Sequence, residues 1–464
     1  MQSKILPFTK LTAITPLDGR YRAKIEELSF YTSEYSLIKT RIEVEVKYLI
    51  ALSAIGITRK ITSDEQKLLT DFYENFSFED VQKVKDLEEQ TRHDVKAMER
   101  TIRQKLQDTS LKDLIEFIHL GLTSEDINNI SYRLMYKRGV HEVILPTIQT
   151  LIHELTEKAD KYKDLPMLGR THGQAAIPTT LGKELIIFAK RLNDQFKKIK
   201  VYKLTGKFSG AIGNFNALKL AYPEINWISF SENFISSFGL IPNLTTTQIN
   251  VYDDIVEFSQ IFQRVNSIII DLNCDMWRYI SDNWFVQDVR KGEVGSSTMP
   301  QKVNPIDFEN SEGNLGMANG IIDFLVRKLA VSRLQRDLSD STVIRNIGTV
   351  LGYCLVGYKS VSIGFSRARP NLEKISKDLN KDYSILSEGV QTILRKRGTS
   401  DPYSLLVALT KGEHINEKGW KAWIEKLDIE PEDKKVLEKL NPNSYIGLAV
   451  ELTDKAISEI KKNE

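Results

Sequence analysis

Between Tyr252 and Asn283 the chain contains neither proline nor glycine, and its apolar residues fall at Phe258, Ile261, Phe262, Val265, Ile269, Leu272, Met276 and Ile280. That i, i+3, i+4, i+7 spacing is the buried stripe of one helix. Its length far exceeds the ~10–14 residues of an average globular helix. A stripe this long needs other long helices to cover it, which predicts a bundle whose surplus apolar surface is buried between subunits. Similar runs follow Pro178 (Leu181, Leu185, Phe188, Leu192, Phe196, Ile199) and cover about 142–164 and 313–338. Alternating strand patterns are scarce, so strands should be few and short. The expected fold class is all-α with three helical domains: an N-terminal one over 1–118, a central long-helix bundle over 119–365, and a C-terminal one over 366–464.

With 464 residues, 41% of them hydrophobic, the chain can bury a large core. Its 64 Lys and Arg against 62 Asp and Glu leave a net +2, which supplies no general attraction to nucleic acid or an anionic membrane. The start MQSKILPFTK lacks a signal-peptide apolar stretch, and no apolar run approaches the ~20 residues of a membrane span, so a cytoplasmic location is expected. Cys274 and Cys354 sit in apolar helical contexts without CxxC spacing, which predicts two buried thiols rather than a metal or disulfide framework. SGAIGNFN at 209–216 lacks the full GxGxxG and reads as a plain turn.

GSSTMPQKVNP at 295–305 fits neither helix nor strand. Two prolines forbid a regular helix, and adjacent serines compete for backbone hydrogen bonds, so a loop is expected. It is not the GxSxG of a nucleophile elbow, not a P-loop, and contains no SxxK. Of six histidines, His153 lacks the second histidine of HExxH, and with His141 and His414 it reads as a helix-surface residue. His93, His119 and His172 stand beside expected helix boundaries crowded with Thr, Ser, Arg and Asp. Helix N-termini carry unpaired N–H groups and partial positive charge, so Thr123-Ser124, and Arg170-Thr171-His172 before the helix after Pro178, suit a carboxylate or phosphate. Thr123 with Asp126 equally suits an ordinary capping box. The segment 332–346 offers Arg333, Arg336, Ser341 and Arg345, whose arginine forks suit phosphate, although surface pairing with Asp337 and Asp340 is the default.

A loop serine flanked by backbone amides and a lysine could remove a proton from carbon. Lys302 and Asn304 would hold the adjoining carboxylate as charge develops, and His172 would protonate the departing group. The chemistry is then a β-elimination with a serine base and a histidine acid.

GSSTMPQKVNP resembles the signature loop of the fumarase/aspartase superfamily, whose members eliminate fumarate from succinyl-containing substrates. DGRY at 18–21, TRHDVKA at 91–97, LTSEDINN at 122–129, RTHGQ at 170–174, TTTQI at 245–249, IDFENSEGNLG at 306–316 and QRDLSDSTVIRN at 335–346 resemble the adenylosuccinate lyase family within it, from about residue 11 to 450. Gln301 stands where many of that family have His. The resemblance implies that Ser296 is the general base and His172 the general acid, with His93 orienting the substrate. It implies further that Lys302, Asn304, Thr123, Ser124 and Gln248 grip the succinyl carboxylates. Arg20, Tyr21, Arg336, Ser341 and Arg345 would hold the 5′-phosphate and ribose, while Arg92, His93 and Asp94 line the base side. Sequence alone does not separate Ser296 from Ser297. The resemblance implies a homotetramer with shared active sites, a small-molecule nucleotide substrate, and neither metal nor organic cofactor. Rival readings are argininosuccinate lyase or fumarase chemistry, a catalytically silent scaffold of the same fold, and nucleic-acid binding through the arginine cluster.

Overall fold

The computed structural model describes residues 6–289, 298, 299, 301–410 and 415–462. They form two compact units, one made of Met1–Thr147, Gln195–Ser267 and Gly313–Lys359, the other of Ile148–Asp194, Ile268–Glu312 and Ser360–Glu464. Helices dominate both, and the fold is all-α. The run predicted from Tyr252 is the 29-residue helix Asp253–Ser281, and Phe258, Phe262, Val265, Ile269, Leu272 and Met276 are buried along it. The stripe after Pro178 is the helix Leu181–Val201. The stripe over 142–164 is the helix Leu145–Lys161, entered from Ser124–Gly139 through a π-helical turn at Val140–Ile144.

The run expected over 313–338 is displaced. Its helix covers Ile306–Leu329, beginning directly after Pro305, and the chain has left helical geometry before Leu334, whose φ is 51°. Apolar spacing continues to Leu338, but a left-handed Leu cannot extend a right-handed helix. Cys354 is buried as expected, whereas Cys274 is exposed on the outer side of Asp253–Ser281. The apolar context of Cys274 comes from its neighbours Leu272 and Met276 on the inward face.

In the first unit, Ile42, Leu49, Leu69, Met98 and Leu106 belong to one apolar core. In the second, Leu386, Val390, Trp420, Ile424 and Leu437 belong to another. Three two-stranded sheets are present among the described residues. The longest pairs Pro166–Thr171 with Gln174–Thr180, antiparallel, with Thr171 opposite Gln174 and an irregularity between Leu168 and Arg170. Gly169 fills that irregularity, where a Cβ would lie 2.6 Å from the Ile177 carbonyl oxygen. No described helix is long and apolar enough to cross a membrane.

Candidate active site

In the first unit, residues far apart in sequence converge on Arg336. Its Nη1 donates to Gln248 Oε1 at 3.2 Å and its Nη2 to Ser341 Oγ at 3.0 Å. Nη2 also lies 3.1 Å from a carboxylate oxygen of Glu125. Gln248 is fixed in turn, because its Nε2 donates to the Ala211 carbonyl at 3.0 Å. Ala211 belongs to the SGAIGNFN turn, which is wrapped around a buried carboxylate. Asp126 accepts from the Ser209 N–H at 2.9 Å and the Gly210 N–H at 3.1 Å, and its Oδ1 lies 2.8 Å from Lys207 Nζ. The same carboxylate accepts the Thr123 N–H at 2.9 Å. The capping reading of Thr123 with Asp126 therefore holds, and it locks Thr123-Ser124 at the start of the Ser124–Gly139 helix. Gly213, at φ 85°, comes so close to Thr246 that an added Cβ would lie 2.3 Å from its carbonyl oxygen. This close approach ties the turn to the TTTQI segment that carries Gln248.

A second group in the same unit surrounds Asp94. His93 caps the Asp94–Gln107 helix, its Nδ1 accepting the Lys96 N–H at 3.2 Å. Arg92 precedes it in left-handed geometry at φ 51° and is exposed. Asp94 lies 2.8 Å from Arg41 and 3.5 Å from Arg345. Burial raises the Asp94 carboxyl, but Arg41, the Val95 N–H and Arg345 more than offset this and hold it below its ordinary value. Arg345 also meets Glu34 at 3.2 Å, and with Asp18 and Arg22 it lines a cavity of about 410 Å³. Arg20, exposed, and Tyr21, half-buried, lie between those last two residues in sequence. Arg333 forms an exposed 3.3 Å pair with Asp337.

His172 is corrected in one respect: it lies in a hairpin turn, not at a helix boundary. With Thr171 paired to Gln174, His172 and Gly173 form a two-residue turn with φ of 54° and 73°. Two positive φ values match the type I′ twist that such hairpins favour. The sequence cue of Thr and Arg beside His belongs to strand pairing here. His172 is exposed at the tip, and Arg170 supports the turn by donating from Nη1 to the Gly173 carbonyl at 3.3 Å while stacking 5.1 Å from the Trp284 ring centre. Lys302 is exposed, its N–H donating to the Met299 carbonyl at 3.1 Å, and Asn304 is half-buried. Ser296 and Ser297 lie outside the described residues.

Sequence reasoning passed over the groups that hold these residues in place. His119, singled out but given no role, stands at φ 61° with Nδ1 bonded to Glu45, whose side chain is buried. Burial depresses the imidazole pKa, but Glu45 outweighs it and raises the value. The available signal was IEVEVKYLI, where Glu43 and Glu45 interrupt an apolar stretch; a carboxylate in such a run needs a buried partner. Arg41, Glu125 and Asn128 gave no comparable cue. Among the described residues no cluster of His, Cys, Asp and Glu forms a metal site.

This helical framework defines a class. The chain matches the Lyase family over residues 19–320 and the adenylosuccinate lyase C-terminal family over 332–446. The fold is shared with a fumarate lyase from Mesorhizobium sp. BNC1, at TM-score 0.77 and 16% identity over 93% of this chain and 97% of that one. It is shared also with β-carboxy-cis,cis-muconate cycloisomerase from Acinetobacter calcoaceticus, at TM-score 0.73 and 16% identity over 96% and 100% of the two chains. The chain is 46% identical to adenylosuccinate lyase of Haemophilus influenzae over 97% of its own length and 100% of the relative's. It is 43% identical to that of Escherichia coli over 97% and 99%, and 44% identical to that of Dictyostelium discoideum over 96% and 98%. The chain belongs to the adenylosuccinate lyase family.

Proposed function

We propose that this protein cleaves adenylosuccinate to AMP and fumarate, and SAICAR to AICAR and fumarate, as a cytoplasmic homotetramer with shared active sites. The observation that carries the nucleotide reading is the meeting of Arg336, Gln248 and Ser341, three positions the family pattern assigns to one ligand, with Gln248 and Arg336 88 residues apart in sequence. Such a fork suits an anionic oxygen and its neighbouring hydroxyls. Arg345, which lines a cavity with Asp18 and Arg22, supplies a second cation for phosphate.

In the reaction proposed, the Ser296 alkoxide takes a proton from the succinyl carbon next to a carboxylate. The electron pair left behind is delocalised into that carboxylate, where Lys302 and Asn304 stabilise the extra charge. The pair then forms the C=C bond of fumarate as the C–N bond breaks, and His172 gives its proton to the departing nitrogen. The tetramer is supported by the Ile306–Leu329 helix. Gly313, Gly316 and Gly320 have open space where a side chain would stand, and Met317 and Phe324 are 53% and 54% exposed. These positions share one face at helical spacing, a surface suited to another copy of the chain.

The test is fumarate release from adenylosuccinate, SAICAR and argininosuccinate by the purified protein. Turnover of the first two and not the third is expected. Turnover of argininosuccinate alone would overturn the nucleotide reading.

A further inference from the structure

Arg336 and Arg345 are joined through the interior of the first unit. Asn128 is 8% exposed, and Arg41 and Glu125 are each 2% exposed. Arg41 Nε donates to Asn128 Oδ1 at 2.9 Å, and Asn128 Nδ2 donates to Glu125 Oε1 at 2.9 Å. At one end Arg41 meets Asp94 at 2.8 Å, which lies 3.5 Å from Arg345. At the other, Glu125 meets Arg336 at 3.1 Å. The chain thus reads Arg345, Asp94, Arg41, Asn128, Glu125, Arg336, with charges alternating about a neutral centre.

We propose that Asn128, with Glu125 and Arg41, is a positioning link that sets the two arginines of the nucleotide site relative to each other. The inference rests on the proposed function above. A guanidinium only donates and a carboxylate only accepts, so the side chain between them must accept at one end and donate at the other. A primary amide does both and adds no charge. Glu125 has little other support: among the described residues its Oε2 is buried without a partner, as is Arg336 Nε. Glu125 therefore depends on Asn128 and Arg336 acting on its other oxygen. Burial raises the Glu125 carboxyl, and Arg336, Asn128 and Lys207 oppose that rise while Asp340 adds to it. The link is absent from the reacting atoms, so its loss should weaken substrate binding more than turnover.

The experiment compares Asn128→Leu, Asn128→Asp and Arg336→Ala with the full-length protein, measuring kcat and KM for adenylosuccinate across pH. Asn128→Leu keeps the shape but removes both bonds, and is expected to raise KM about tenfold with kcat within about twofold. Asn128→Asp sets two carboxylates face to face. Two buried carboxylates in contact disfavour double ionisation, so toward lower pH one of them holds a proton and donates it across the gap and KM approaches the parent's; as pH rises both ionise and KM rises about tenfold relative to the parent. A purely structural Asn128 would give a deficit that does not move with pH. An Asn128→Leu KM within twofold of the parent, a fall confined to kcat, or a flat Asn128→Asp deficit would each overturn the link. If Asn128→Leu does not fold, the pH dependence of Asn128→Asp decides. Arg336→Ala separates the two readings: a KM unchanged in that variant overturns the nucleotide site itself, whereas a raised KM there beside an unaffected Asn128→Leu overturns the link alone.

Discussion

Arg133 and Asp254 form a two-pronged ion pair, Nε and Nη2 each 2.8 Å from a carboxylate oxygen, with the two side chains 0% and 7% exposed. Asp254 also accepts the Thr205 N–H at 2.8 Å and its hydroxyl at 2.9 Å. Burial raises the Asp254 carboxyl, yet Arg133 and Thr205 more than offset it and keep it below its ordinary value. Removing the arginine would leave a desolvated charge without its counter-ion. Arg133→Met is expected to destabilise the fold by about 3–5 kcal/mol, and Arg133→Met with Asp254→Leu by less than Arg133→Met alone. Urea unfolding at one fixed protein concentration checks the order; a double variant weaker than Arg133→Met would contradict it.

The hairpin turn supports a second prediction. Gly173 has open space around it, so an added methyl clashes with nothing, but its φ of 73° is unfavourable for any other residue. Gly173→Ala should cost about 1–2 kcal/mol in the turn itself and displace His172. Small misplacements of a reacting group are expensive, so kcat is expected to fall at least about tenfold with little change in KM or melting temperature. A variant with the parent's kcat would mean that His172 needs no fixed backbone, and would weaken its assignment as the general acid.

Anion binding gives a third. Arg345→Ala removes a charged donor at the cavity beside DGRY, and Arg20→Ala removes one within that segment. Each is expected to raise KM for adenylosuccinate about tenfold or more, with a smaller effect on kcat, because phosphate lies far from the bond that breaks. Unchanged KM in both would place the phosphate elsewhere.

Much of this was legible in sequence because it depends on spacing. The stripe from Phe258 to Ile280 specified a helix, whereas 295–297 and 300 of the loop with two prolines lie outside the described residues. The Ile306–Leu329 helix was misplaced because apolar residues at Val331, Leu334 and Leu338 continue the pattern while the backbone at Leu334 turns left-handed. The hairpin was missed because its strands, Pro166–Thr171 and Gln174–Thr180, show no clear apolar alternation and contain Pro166, Gly169 and Pro178, and His172-Gly173 is an unusual pair for a type I′ turn. In the candidate site, motifs reached Arg336, Ser341 and Gln248. They did not reach Arg41 and gave Glu125 and Asn128, inside LTSEDINN, no role, since nothing in a linear string reveals that a buried amide from one helix meets an arginine 87 positions away.

A fourth prediction concerns acid stability. Arg59 grips Glu65 through Nη1 and Nη2, each at 2.9 Å, and holds its carboxyl down at about 2. The Thr62 N–H and Ser110 hydroxyl assist against the opposing effect of burial. A carboxyl whose folded value is depressed stabilises the fold above its ordinary value of 4.5, and that contribution is lost as pH falls toward 2. Glu65→Gln should therefore melt below the parent at neutral pH, and the gap should narrow progressively below about pH 4.5. Melting curves at neutral pH and near pH 3 test this; a constant gap would assign the effect to packing rather than charge.

The last prediction follows from the exposure of His172. Among the described residues its ring has no hydrogen-bonding partner, although a general acid needs a neighbour to orient it and tune its proton affinity. The proposed tetramer with shared sites would supply that neighbour from another chain, and would bring His172 of one subunit to Ser296 of a different one. Ser296→Ala and His172→Ala, each inactive alone, should then complement each other. Dissociated, mixed in equal amounts and reassembled at random, they should yield about one site in four with both residues intact, and so about a quarter of the parent's activity. The parent taken through the same treatment must recover fully, and a mass tag on one variant must show mixed tetramers. Mixed tetramers that stay inactive would place both residues in the same chain and end the shared-site reading.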